Sequence, residues 1–436
     1  MWLLPLLLCH GLMAQPRSLE RQLDPLVVSG AMLPSLLETP LEKLGCFRAK
    51  TSLDGTLEPI PCQVDERTAR GAYVLPFGPD SNPEDSDLKL SARDELVFVA
   101  SDAGGKVEQP RWPAGLVQGL ELELRDPLDG ALAWVYLGAF EGPAPCSSVD
   151  YVRYIPGSEV VDASTYQLRF SKEAPIVFDH LSIKTGAGGE GSNPVDRMKI
   201  RLDAKVWGTI SIQKTEADYT SEVIGYLDGP VRVLRRTRNR LIIWWKIPSP
   251  SAIQDNYFYG THFEFPISVT LPMDLDAFLS EATLRISVDL KGNPRRVFFN
   301  EHNPEPVAID GRWTAAEAKL DLQPYTWSVL HGTRANDSAG WFNRLSIGAN
   351  TPIDPYLYYR DNVQQPDAPE GTPGQVGDLG YEVRNLKGLT KGTHYLTSVL
   401  YHMPKYSPEL VRRYLSIRHH PLQVRVPRVL PSTGTP

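Results

Sequence analysis

Cysteine is scarce, with four in 436 residues. None falls in a CxxCH or a paired CxxC, which excludes covalent haem and a thiolate zinc site of those spacings. The histidines are scattered and show no HExxH or other zinc spacing. There is no GxSxG elbow, no P-loop and no GxGxxG before a helix, and the GAGGEG at 186–191 reads as a flexible turn. Basic charge is also short: 45 Lys and Arg against 52 Asp and Glu leave a net charge of −7, which gives no reason to expect nucleic acid as a partner. After residue 13 no run is long and apolar enough to cross a membrane as a helix.

What is present begins with an apolar leader. Residues 1–14, MWLLPLLLCHGLMA, carry an apolar core too short to span a bilayer and end at a small residue. They read as a secretory signal peptide, and the expected location is secreted or periplasmic. Cys9 leaves a lipid anchor open. Cys46, Cys62 and Cys146 remain beyond the leader, in a compartment that permits disulfides. Residues 45–64 read as a hairpin turning at Asp54 and Gly55, which would set Cys46 opposite Cys62 in a disulfide. The alternative is three reduced, buried thiols.

The 34 Gly and 38 Pro, spread among many short strand patterns, indicate an all-β chain. Residues 24–145 read as a small N-terminal β-sandwich, with strands at 25–29, 46–50, 59–64, 71–77 and 94–100 and a hairpin of 119–125 with 131–137. Residues 150–426 read as a larger antiparallel β-sandwich. There Met198, Ile200, Leu202, Ala204 and Val206 alternate with Arg197, Lys199, Arg201, Asp203 and Lys205, which predicts one buried face and one solvated, charged face. Residues 284–290 repeat the pattern. Residues 361–380 read as a loop or linker. A short helix is expected over 407–415, with Ser407 as N-cap and Pro408 in the first turn. Residues 427–436 read as a flexible tail.

The densest chemistry lies at 225–246, GYLDGPVRVLRRTRNRLIIWWK. As strands, these residues place Arg232, Arg236, Arg238 and Arg240 on one face and Arg235 on the other. Guanidinium forks suit carboxylates and sulfates, so the row could grip a uronate-rich or sulfated polymer. Alternatively it pairs across the sheet with acids such as Glu216, Asp218 and Glu222. Trp244, Tyr257, Phe258 and Tyr259, and later Tyr356, Tyr358 and Tyr359, could stack on sugar rings or pack between sheets. His262, after the segment NYFYGT, is the best placed general acid or base, with Tyr259 beside it. Asp80, Asn82 and Asp87 could hold calcium, but their loop has Asp85 where an EF-hand needs Gly, and a solvated acidic loop is the alternative. No other metal or cofactor is expected.

Three pieces carry a resemblance: the strand 59–65 (PIPCQVD), the strand entry 228–232 (DGPVR), and the long antiparallel strands out to Leu290. Together they resemble the galactose-mutarotase-like β-supersandwich of sugar mutarotases and polysaccharide lyases, with a smaller β-domain in front, over residues 60–426. The resemblance implies a carbohydrate context. It carries over no catalytic residue, because the mutarotase His and Glu match no motif here.

Two readings follow. One is an exported protein that binds an acidic polysaccharide or glycan, with a lyase as its enzymatic form: Arg236 or Arg238 would neutralise the uronate and His262 or Tyr259 would take the α proton. The other is a non-enzymatic structural or assembly protein of the cell envelope, partnered by another envelope protein. A polymer binder should expose the arginines and aromatics in one groove, whereas a structural protein should bury or pair them.

Overall fold

The computed structural model describes residues 15–51, 54–244, 247–249, 251–292, 295–334, 337–365, 367 and 376–430. Residues 1–14 with Cys9, most of the stretch 366–375 and the last six residues lie outside them. The chain is all-β, with five antiparallel sheets and one α-helix, Pro408–His419, among the described residues. Ser407 caps that helix by accepting the Leu410 N–H at 3.1 Å. No described helix is long and apolar enough to cross a membrane.

The chain divides into two compact units. The first comprises Met1–Val74, Glu84–Asp150 and Leu415–Pro436, and the second Leu75–Pro83 and Tyr151–Tyr414.

In the first unit a five-stranded sheet runs in the order Gln423–Leu430, Leu116–Arg125, Leu132–Phe140, Leu44–Ala49 and Leu57–Pro59. A three-stranded sheet joins Pro25–Ser29, Glu95–Val99 and Gln63–Asp65. Val28, Phe98, Leu122 and Val135 are sealed in their shared core. The C-terminal strand corrects two expectations. It extends to Leu430, so 427–430 are not tail, and it pairs with Leu116–Arg125 inside the first unit instead of closing the second sandwich. Residues 71–77 form no strand: Val74 N–H bonds to Glu66 O and Leu75 N–H to the Asn82 side chain, so these donors are spent on loops. Cys46 and Cys62 are joined in a disulfide with a Cα–Cα separation of 6.2 Å. The hairpin register differs from the expected one. Phe47 opposes Pro59, Ile60 N–H bonds to Cys46 O, and Cys62 reaches back from two residues further on. Cys146 is free and exposed.

The second unit holds a four-stranded sheet over residues 152–183, a five-stranded sheet and a ten-stranded sheet. The five-stranded sheet is built on Val195–Val206, Leu279–Leu290 and Val376–Val383, and the ten-stranded one on Tyr219–Asp228, Arg232–Trp244, Ala252–Tyr259, His262–Leu271, Gly392–Met403 and Gly340–Ile347. Apolar side chains of all three sheets meet in one core, among them Leu168, Phe178, Val233, Phe258, Leu290 and Trp341. The alternation at 198–206 holds, but its charged face is solvated only toward Asp203 and Lys205. Lys199 is 1% exposed and Arg201 is also buried. Lys199 pairs with Asp289 at 2.8 Å, and Arg201 pairs with Glu216. Period two predicts which residues share a face, and distant segments decide whether water reaches that face.

Candidate functional site

Arg232–Trp244 runs through the sheet between Tyr219–Asp228 and Ala252–Tyr259, antiparallel to both. The period of two puts Arg236, Arg238 and Arg240 on one side, as expected, but the neighbouring strands supply acids opposite them. Arg236 faces Asp255 in register and binds it through both arms of its fork, at 2.6 and 2.8 Å. Arg238 faces Glu222, donates to it at 2.6 Å and also pairs with Asp80. Arg232 is buried, with its guanidinium 5.3 Å from the Tyr257 ring and 3.4 Å from the Tyr259 hydroxyl. Arg240 is exposed. Trp244 ends the strand, and its side chain, like Trp245, lies outside the described residues.

Arg235, on the opposite side, is wholly buried. It donates to Glu159 at 2.7 Å, to Tyr154 Oη at 3.3 Å and to the Pro175 carbonyl at 3.0 Å, and it lies 4.0 Å over the Phe170 ring. A buried guanidinium tolerates such a site only when every arm is paired, so this one fixes the four-stranded sheet against the arginine strand.

The acidic loop makes contacts within the sheet. Residues 75–83 cross the edge strand Tyr219–Asp228. Asp80 N–H bonds to Ile224 O at 2.7 Å, Tyr226 N–H to Phe77 O at 2.9 Å, and the Phe77 ring stacks on Tyr226. This strap covers part of an edge that would otherwise present unpaired backbone groups. It also delivers Asp80 to Arg238. Asn82 Oδ1 accepts the Leu75 N–H, and Asp87 Oδ1 accepts the Lys89 N–H. The three oxygen groups proposed for calcium therefore serve separate contacts. No group of three or more potential metal ligands occurs among the described residues.

His262 sits on the same sheet face as Tyr259 and Tyr401. Its ring is stacked between theirs, at 4.5 and 4.8 Å and nearly parallel. It is 1% exposed, its Nε2 has no hydrogen-bond partner, and Nδ1 lies 3.3 Å from Thr261 Oγ1. Burial lowers its pKa to about 3. This side chain is neutral and sealed in an aromatic stack, and a general base needs a path to the proton it removes. Tyr259, at its other face, is buried too. The later tyrosines are also engaged: Tyr359 donates to Glu317 at 2.9 Å, Arg285 lies 4.3 Å over Tyr358, and Arg384 lies 4.5 Å over Tyr356.

The structure thus brings the arginines and His262 into one sheet but gives them internal partners. Glu222 was legible as such a partner. Glu216 instead takes Arg197 and Arg201, and Asp218 takes Lys214. Asp255, Asp80 and Glu159 are the partners the sequence reading missed. Asp255 becomes visible once 232–239 is written against 252–259 as a hairpin. Asp80 and Glu159 carry no local signal.

No protein-family model matches the chain, and no curated protein matches it. Among solved structures, an alpha-mannosidase from Enterococcus faecalis aligns at 9% identity and a TM-score of 0.46, over 96% of this chain and 46% of its own. A lysyl oxidase from Pichia pastoris aligns at 8% identity and a TM-score of 0.28, over 62% and 55%. The chain spans about half the length of each. Overlap at this level says nothing of its family or activity.

Proposed function

We propose that the protein is a non-enzymatic β-sheet protein of the cell envelope, exported by its leader, that associates with an envelope glycan or another envelope protein and does not cleave polysaccharide. The observation that carries this reading is the internal pairing of the arginine strand. Arg235, Arg236 and Arg238 are held by Glu159, Asp255, Glu222 and Asp80, and the histidine beside them is sealed in an aromatic stack. Neither Arg236 or Arg238, the charges named for a lyase, nor the His262 base is free to meet a substrate.

Affinity electrophoresis of the mature protein against acidic and neutral polysaccharides, with ultraviolet absorbance followed for unsaturated products, tests this. The expected result is no new absorbance on any polymer, and any retardation unchanged in an Arg240→Glu variant. Unsaturated products that vanish with His262→Phe would restore the lyase reading. Retardation by an acidic polymer that is lost with Arg240→Glu would restore the arginine groove.

A further inference from the structure

Between the five-stranded and ten-stranded sheets of the second unit lies an apolar cavity of about 150 Å³. Its walls are the inward faces of two sheets, where close packing is the rule. Yet Met198, Ile286, Val288 and Leu379 on one wall and Phe265, Ile267 and Leu400 on the other are only half-buried. The two sheets therefore do not close on each other along this stretch.

The exposure is uneven. Along Leu279–Leu290, Leu290 is wholly buried, and Val288, Ile286 and Leu284 are half-buried. Along His262–Leu271 exposure rises from Phe263, at 3%, through Phe265 and Ile267 to Val269, at 37%. Phe178 of the four-stranded sheet packs on Phe263 and Phe265, and with Leu181 it contributes to the buried end. This is a slot closed at one end and open at the other. From Ile286 to Leu290 it is about 13 Å long at the rise of a β-strand.

No charged side chain among the described residues lines it. Its few polar groups come from both walls, Ser287 and Tyr381 from the five-stranded sheet and Gln254, Ser328, Asn343 and Ser398 from the ten-stranded one. The Ser398 hydroxyl donates to Asn343 Oδ1 at 2.9 Å, Gln254 donates to Asn256, and the Trp341 indole N–H is buried with no acceptor. An orphaned donor in an apolar wall is costly unless something supplies an acceptor.

We propose that this slot binds a linear, uncharged alkyl or acyl chain that enters end-on and brings at most a neutral oxygen acceptor. Length with little volume selects a chain over a bulky ring, since an apolar cavity of similar volume without the slot shape takes benzene. The absence of a lining charge keeps any ionised head group at the mouth. This inference is independent of whether the outer surfaces of the protein meet a glycan.

The test is calorimetric titration of the full chain with n-alkanols from butanol to dodecanol, with benzene as the ring-shaped competitor. Saturable binding is expected, tightening about fourfold per added methylene until the slot is filled and then levelling off. Binding should be lost in Val288→Phe and in Ile286→Phe, each placed to fill the slot. Three results would overturn the proposal: no saturable binding, affinity that does not depend on chain length, or benzene binding more tightly than the longer alkanols. The chain-length series reads the wild-type protein alone, so the test stands even if a filled variant fails to fold. If the variants fold and bind alkanols as the wild type does, the site is not this slot.

Discussion

At the scale of the residue, the second unit spends charge on holding itself together and keeps His262 and His402 neutral. His262 is depressed to about 3 and His402 to about 4, both by burial. The unfolded chain takes up a proton at each below about pH 6.5 and the folded chain does not. The stability gained by keeping them neutral is therefore complete above that pH and is lost as pH falls toward 4, at about 1.4 kcal/mol per pH unit for each histidine. Asp361 acts in the opposite sense. Burial raises it to about 6, so the folded state holds that proton better than the unfolded chain. Its contribution is least favourable above pH 6 and improves as pH falls from 6 toward 4. Because these groups oppose one another, the clean reading is a difference between proteins. His262→Phe keeps an aromatic ring between Tyr259 and Tyr401 and removes the unpartnered Nε2. Urea melts at pH 7, 6, 5 and 4 should show the variant close to wild type at pH 7 and gaining on it by about 1.4 kcal/mol per unit below pH 6. Parallel curves would show that His262 is not held neutral.

At the scale of the element, the strands were legible and their surroundings were not. Alternation of Met198, Ile200 and Leu202 against Arg197, Lys199 and Arg201 gave the strand and its two faces correctly. It could not reveal that Asp289, ninety residues on, would pair with Lys199, or that Glu216 would turn back onto Arg201, because neither contact leaves a mark on the alternation itself. The strap at 75–83 shows the same limit. Its one acid, Asp80, gains a partner only once the strap meets Arg238. The strap depends on glycine. Gly78 has φ +109°, and a Cβ there would come within 2.6 Å of the Gly225 Cα. Both the backbone conformation and the space exclude a side chain. Gly78→Ala should lower stability by about 1–3 kcal/mol and speed proteolytic cutting near 75–83. Unchanged melting and cutting would mean that the strap does not clasp the edge strand. The slot between the sheets could not have been read from sequence, since its lining residues look like any other core positions.

At the scale of the whole molecule, chain order and unit membership part company. The last strand, Gln423–Leu430, belongs to the first unit, where it pairs with Leu116–Arg125 and brings Arg428 within 3.9 Å of the buried Glu121. A chain ending at His420 should therefore lose protection from hydrogen exchange in 116–140 while the strands of 195–290 keep theirs. Equal protection in both chains would show that the C-terminal strand is dispensable to the first unit.

The central claim is that the arginine strand serves the sheet and not a ligand. A charge-swap cycle on Arg236 and Asp255 tests it most directly. These two side chains face each other in register and form two hydrogen bonds. Arg236→Asp and Asp255→Arg should each destabilise the protein by setting like charges opposite one another. The double swap should recover most of that loss, with a coupling of about 0.5–3 kcal/mol by urea denaturation. Single variants that melt like wild type, or a double variant whose loss is the sum of the two, would contradict the claim and return the arginines to the surface as free binding groups.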